Sequence, residues 1–205
     1  MSNQFIQFGQ LVESLTAVPE NYTQPVRIYC DVDGVLLPFF RFGDGNEPDS
    51  YIDAKIVTPY REEKQTRLFF NQNAVDFLSK ISQVADFVWL TAWYEQAPMI
   101  FDKALNIKSV GFLNWEQKFS DYEQVFKSVA IREDQKESPS KFVWIDDMAN
   151  RRVDKNFVNN GFLLGDRQRS QETIETDRFL SINTDSSSGI TQENIDTVTN
   201  WINQK

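Results

Sequence analysis

The sequence predicts an α/β fold: a doubly wound parallel sheet of about five strands with helices on both faces and a small hairpin insertion. Three observations carry this expectation. Short apolar runs rich in β-branched and aromatic residues alternate with segments of helical period, the pattern of consecutive βαβ units. Three of those runs end in oxygen-bearing side chains, at Asp31-Val32-Asp33, Thr91 and Asp146-Asp147. The chain has 205 residues, 40% hydrophobic and 14% aromatic, enough for one domain with a sizeable core. With no internal repeat and no linker, residues 1–205 are expected to form a single domain. Its core starts at about residue 26, and residues 38–70 form a loop and hairpin flap.

Phe5, Phe8, Val12 and Leu15 recur at helical spacing, so a short packing helix is expected over residues 1–18, stopped by Pro19. The first strand is expected over 26–31. Gly, Pro and Asp make 38–50 a loop, and a hairpin follows with arms 52–58 and 65–70 and a tip over 59–64. Asn71 or Asn73 caps a helix with Ala74, Phe77, Leu78 and Ile81 along one side. The second strand spans 86–90, ending at Thr91, and a helix covers 95–105. A third strand spans 109–113, a helix about 126–136, and the fourth strand 141–145, ending in Asp146-Asp147. A helix over about 150–159 stops at Gly161, and the polar stretch 165–177 reads as a loop. The fifth strand spans 178–182, and Thr191 caps a final helix through Trp201 and Ile202.

Composition removes several functions. There is no histidine, which excludes serine–histidine triads, histidine–zinc sites and histidine phosphotransfer and leaves oxygen-ligand chemistry. The single cysteine, Cys30, has no internal disulfide partner and reads as core. The net charge of -9 argues against a general nucleic-acid coat or a membrane-surface protein, though not against a local basic patch. No signal peptide or membrane-length apolar run is visible, so a cytoplasmic protein is expected.

In a parallel sheet the three strand ends lie at one edge, where doubly wound folds bind ligands. Taken singly, each has another reading: Asp33-Gly34 as a hairpin turn, Asp146-Asp147 as a helix cap, Thr91 as a turn residue. Together they converge. Four carboxylates at one edge repel unless a cation sits among them. Oxygen ligands with room for water suit Mg²⁺.

These segments resemble the haloacid dehalogenase (HAD) superfamily. Its Asp-x-Asp-Gly motif after an apolar strand is similar to Tyr29-Cys30-Asp31-Val32-Asp33-Gly34-Val35. Its strand ending in Thr or Ser is similar to Val88-Trp89-Leu90-Thr91, and its strand ending in Asp-Asp to Val143-Trp144-Ile145-Asp146-Asp147. Trp89-Leu90-Thr91-Ala92-Trp93, Trp144-Ile145-Asp146-Asp147 and Gly189-Ile190-Thr191 before a Trp-ending helix resemble, more closely, the HAD domains of Swiss-army-knife RNA-repair proteins.

The resemblance implies a Rossmannoid, HAD-like phosphatase using Mg²⁺ and an aspartyl-phosphate. Asp31 would be the nucleophile and Asp33 the acid and base. Asp31, Asp146, Asp147 and the Asp33 carbonyl would be the metal ligands, with Thr91 and Ala92 at the substrate phosphate. It also implies a phosphate-binding lysine. Lys141 begins the fourth strand, and five strand residues span about 16 Å, so it belongs at the opposite edge. Lys127, near the N-terminus of the helix before that strand, is the better placed, with Lys118 as the other candidate. An open site without a large cap implies a large substrate, such as a terminal phosphate on RNA or DNA. Arg61, Lys64 and Arg67 with Tyr60 on the hairpin are candidates for its contacts, or a solvated hairpin tip. The alternatives are a nucleotide monophosphatase with Phe39, Phe40 and Phe42 lining a pocket, and a catalytically silent HAD-like binding domain.

Overall fold

The computed structural model of the chain describes residues 25–43, 45, 47–57, 63–114, 126–137, 139–149, 174–175 and 177–203. The helices expected over 1–18 and 150–159, Arg61, Lys118 and most of 165–177 lie outside the described residues.

Along the chain, β1 (Val26–Cys30) leads to an antiparallel hairpin of β2 (Ser50–Val57) and β3 (Glu63–Phe70), and then to helix α1 (Gln72–Ile81). After β4 (Asp86–Trp89) comes a π-helical turn, Pro98–Asp102, that runs into a short helix α2 (Lys103–Leu105). Then follow β5 (Ser109–Phe112), α3 (Phe126–Glu137), β6 (Lys141–Asp146), β7 (Ile174–Glu175), β8 (Phe179–Asn183) and α4 (Gln192–Asn203). Among the described residues the main sheet has six strands in the order β5-β4-β1-β6-β8-β7. The first five in that order are mutually parallel, and β7 is antiparallel to β8. The order of the parallel strands reverses at β1, whose neighbours are β4 and β6.

The central strands are buried on both faces, which is why they read as continuous apolar runs rather than alternating ones. Side-chain alternation still sorts them into two cores. Ile28, Cys30, Val143, Ile145, Leu180 and Ile182 join α1 and α4 on one face. Tyr29, Phe142, Trp144 and Phe179 join Ile131 of α3 on the other. At ~25 cal/mol per Å² of apolar surface, each large side chain so buried contributes about 1.5–3 kcal/mol.

Several boundaries differ from expectation. Residues 174–175 are the edge strand β7 rather than a loop; two residues are too few to show a period. The hairpin arms are longer, so Glu63 and Lys64 belong to β3 and not to the tip. Over 95–105, Pro98 and the wider π turn replace the regular helix expected there, and Asn106, in the left-handed region at φ 52°, closes it. Asn71 stands at the N-cap of α1 without a capping bond; its Nδ2 donates to the Ser188 carbonyl, 3.1 Å away. Asp49, from the loop before the hairpin, accepts instead from the Gln72 N–H at 2.8 Å. Thr191 does cap α4, in a reciprocal box with Asn194 at 3.0 and 3.3 Å. Among the described residues no helix is long and apolar enough to cross a membrane.

Candidate active site

At the carboxyl edge the parallel ladders run on past the strands. The Asp31 N–H donates to the Ile145 carbonyl at 2.9 Å, the Leu90 N–H to the Cys30 carbonyl at 2.8 Å, and the Thr184 N–H to the Asp146 carbonyl at 3.3 Å. Backbone pairing therefore sets Asp31 beside the end of β6, at the point where strand order reverses.

The chain leaving β1 closes on itself at once. The N–H groups of Leu36 and Leu37 both donate to the Val32 carbonyl at 2.9 Å, and the Gly34 N–H donates to the Leu37 carbonyl at 2.8 Å. Gly34 has φ +70°, and a Cβ there would lie 2.9 Å from the Asp147 carboxyl group. Both facts demand glycine. The close neighbour is thus a carboxylate of the chain itself. Buried Thr184, just after β8, donates its hydroxyl to the Gly34 carbonyl at 2.8 Å and fixes the turn from the far side.

Three carboxylates meet here. Asp31, Asp146 and Asp147 each offer an oxygen within 4.8 Å of the others. Asp31 and Asp146 are buried, at 6% and 1% exposure. Lys127 reaches them from the first turn of α3: its Nζ donates to Asp31 Oδ2 at 2.5 Å and to Asp146 Oδ2 at 2.8 Å. Asp31 Oδ1 accepts from the Val32 N–H at 2.7 Å, and Asp146 Oδ1 from the Met148 N–H at 2.8 Å. The Trp144 indole adds a 3.3 Å bond to Asp146 Oδ2.

Electrostatics follow from this crowding. Burial, then the Asp146 charge, push the Asp31 carboxyl up from its usual 3.8 to about 7, against the pull of Lys127. For Lys127, burial works to lower the ammonium, but Asp146 and Asp31 outweigh it and hold the group above its ordinary value. One ammonium faces two buried carboxylates and a third at their side, so the cluster keeps an excess of negative charge. Hard oxygen donors at this spacing fit a small divalent cation such as Mg²⁺.

Asp33 points elsewhere. Its Oδ2 accepts from the Trp93 indole N–H at 2.9 Å, and burial raises its carboxyl despite that bond and the nearby Lys127 charge. Its side chain is not part of the three-carboxylate group. Thr91 lies two residues beyond the end of β4 and is buried. It opens a tight turn: the Trp93 N–H reaches Thr91 Oγ1 at 3.3 Å, and Tyr94 takes a left-handed φ of 46°. Ala92 is exposed at the tip of this turn.

What sequence reasoning missed is how α3 is held. Lys127, Ile131 and Asp134 lie on one face, at i, i+4 and i+7. Asp134 accepts from the buried Arg27 guanidinium and from the Tyr29 hydroxyl, and Gln135 Nε2 donates to Tyr29 at 2.9 Å. This polar cluster docks the helix on β1, so Lys127 at its other end meets Asp31. An arginine within an apolar strand run and an aspartate seven residues after the lysine are the only sequence signals of it. Lys141 pairs in register with Val26 at the amino edge, its Nζ 5.2 Å from the centre of the Trp201 ring.

The remaining candidates lie on the hairpin. Arg67 is exposed, bonded to Asp53 at 2.9 Å and stacked 4.1 Å over the Tyr51 ring. Phe40, Phe42 and Phe69 make edge-to-face contacts with one another. Phe39 and Phe42 are 60% and 76% exposed. Phe39 and Phe42 thus face outward, while the buried side of the hairpin is taken by Ala54, Leu68 and Phe70. The hairpin is tied to the turn after β4 by Gln96, whose side chain bonds both the N–H and the carbonyl of Val57, at 2.7 and 3.1 Å.

No curated protein and no solved structure matches the chain. The sequence model of a family described as the HAD domain in Swiss Army Knife RNA repair proteins matches residues 27–195, a span from β1 into α4 that takes in every strand of the sheet. The chain belongs to that family, the HAD domains of Swiss Army Knife RNA repair proteins.

Proposed function

We propose that the protein is a Mg²⁺-dependent phosphatase that removes a terminal phosphate from a nucleic acid through an aspartyl-phosphate. The observation that carries this reading is the Lys127 ammonium shared between Asp31 and Asp146, with Asp147 beside them and Asp33 two residues on. Family membership suggests phosphatase-type chemistry, and these residues supply the parts it requires.

Asp31, Asp146, Asp147 and the Asp33 carbonyl would hold the metal ion, which, when bound, neutralises charge on the phosphoryl oxygens. An Asp31 carboxylate oxygen attacks phosphorus as the bond to the leaving oxygen breaks. The protonated carboxyl of Asp33 gives its proton to that oxygen. In the second step Asp33 takes a proton from water as the water oxygen attacks phosphorus. The bond to Asp31 then breaks, releasing inorganic phosphate and restoring the carboxylate. Lys127 binds a phosphoryl oxygen, and Thr91 and Ala92 bind the others. Arg61 and Arg67 are the candidates for contacts further along the substrate.

A nucleic-acid end is favoured over a free nucleotide by the RNA-repair context of the family and by the small insertion after β1. The exposure of Phe39 and Phe42 weighs against their enclosing a mononucleotide. The test is phosphate release with Mg²⁺ from 3′- and 5′-phosphorylated oligonucleotides, mononucleotides, sugar phosphates and an aryl phosphate. Oligonucleotide ends should give the highest kcat/KM. Preference for mononucleotides would refute the substrate assignment, and no turnover of any ester would leave a silent binding domain.

A further inference from the structure

The turn after β4 reaches across to the segment after β1 through the 2.9 Å bond from the Trp93 indole to Asp33 Oδ2. Trp93 has little freedom. Its backbone N–H is tied to Thr91 Oγ1, the next residue is in the left-handed region, and its ring packs on buried Phe101 with centroids 5.5 Å apart. An indole N–H only donates. The oxygen that faces it is therefore an acceptor in both protonation states of the carboxyl group.

We propose that Trp93 is a positioning residue that reserves Asp33 Oδ2 as an acceptor, so that the proton Asp33 gives and takes is carried on Oδ1. This rests on the phosphatase reading above. The indole fixes the plane of the carboxyl group and decides which oxygen does the proton transfer. Trp93→Phe keeps the ring packing and removes the donor.

The test compares esters that differ in how much their leaving group needs a proton. An alkoxide leaves poorly without one, whereas 4-nitrophenolate leaves unprotonated. kcat/KM reports the steps through phosphoryl transfer to Asp31, where Asp33 acts as acid. With Mg²⁺ present, Trp93→Phe should lower kcat/KM for an alkyl phosphate by about 10- to 100-fold, a part of the roughly 10²- to 10⁴-fold that general acid catalysis contributes. The loss on 4-nitrophenyl phosphate should be at least about tenfold smaller. In an Asp33→Asn background the selective loss should vanish, because the two residues act as one unit. Equal losses on both esters, or a selective loss that survives Asp33→Asn, would overturn the proposal. A second readout needs no Trp93 variant to fold. The indole N–H resonance of Trp93 in the full chain should shift on Asp33→Ala, and an unmoved resonance would also overturn it. If the wild type hydrolyses neither these esters nor a phosphorylated oligonucleotide, the phosphatase reading itself fails, while the resonance still reports the contact.

Discussion

Helix α3 carries a buried charged cluster at each end, and the two are built differently. Near its C-terminus Asp134 faces Arg27, with Tyr29 and Gln135 in the same hydrogen-bonded group. There a cation is matched by an anion, a pair closed in charge. Near its N-terminus Lys127 faces Asp31 and Asp146, with Asp147 beside them. There one cation meets an excess of carboxylates, and the Asp31 carboxyl is pushed up to about 7. A closed pair of buried charges serves to dock a helix. An unbalanced one stores a demand for a further cation or for a proton, which is what a reactive site can use.

The contrast predicts how each end breaks. The largest effect is expected from Asp31→Asn, which removes the proposed nucleophile and should cut phosphate release by about 10⁴-fold or more, measured with Mg²⁺ and an aryl phosphate. Robust turnover by this variant would refute the role of Asp31. At the other end, Asp134→Ala strands the buried Arg27 guanidinium. It should cost about 3–5 kcal/mol of stability in urea unfolding. A loss near zero would mean that the closed pair does not hold the helix.

The open end should respond to solution conditions where the closed end does not. Saturating Mg²⁺ is expected to raise the melting temperature of the wild type, by the equivalent of about 2.7 kcal/mol at one hundred times its dissociation constant. Asp146→Asn should lose most of that rise, and Asp134→Ala should keep it. pH gives a related signal in the metal-free protein. The folded Asp31 carboxyl lies above its unfolded value, so the stability linked to it is fully present below about pH 4. That stability is lost as pH rises through about 7. Subtracting urea midpoints for Asp31→Asn from those for wild type in chelator should expose this downward slope, and Mg²⁺ should flatten it. A flat difference would show that Asp31 titrates normally. The smallest effect is expected outside both clusters: the exposed Arg67–Asp53 pair on the hairpin should leave the melting temperature unchanged in Arg67→Ala.

Much of the sheet was legible because strands buried on both faces write themselves as unbroken apolar runs, and because Asp31, Thr91 and Asp146 stand where those runs stop. The placement of Lys127 was legible too, since a helix leading into a strand must start at that strand's far end. The remainder depended on long-range partners. Arg27 in a central strand makes sense only once Asp134 arrives from α3. Nothing local tells that Asp49, and not Asn71, accepts the first helical N–H of α1. Trp93 was visible as part of a sequence motif, but its bond to Asp33 spans two strands and a turn. The strand at 174–175 is shorter than any period that could reveal it.

The position of β1 also bears on how the molecule assembles. Ile28 pairs with Phe87 on one side and with Val143 on the other. The strand that leads into Asp31 is thus made early and completed late. Until β6 docks, Asp31 has neither its ammonium partner nor its backbone acceptor at Ile145. Closure of such distant pairings is slow, because chain entropy is spent before contacts return it. A nascent or partly folded chain would therefore carry Asp31 at the end of a half-paired strand, without the partners it has in the finished sheet. Competence for chemistry would appear together with the last parallel pairing, as a property of the finished sheet.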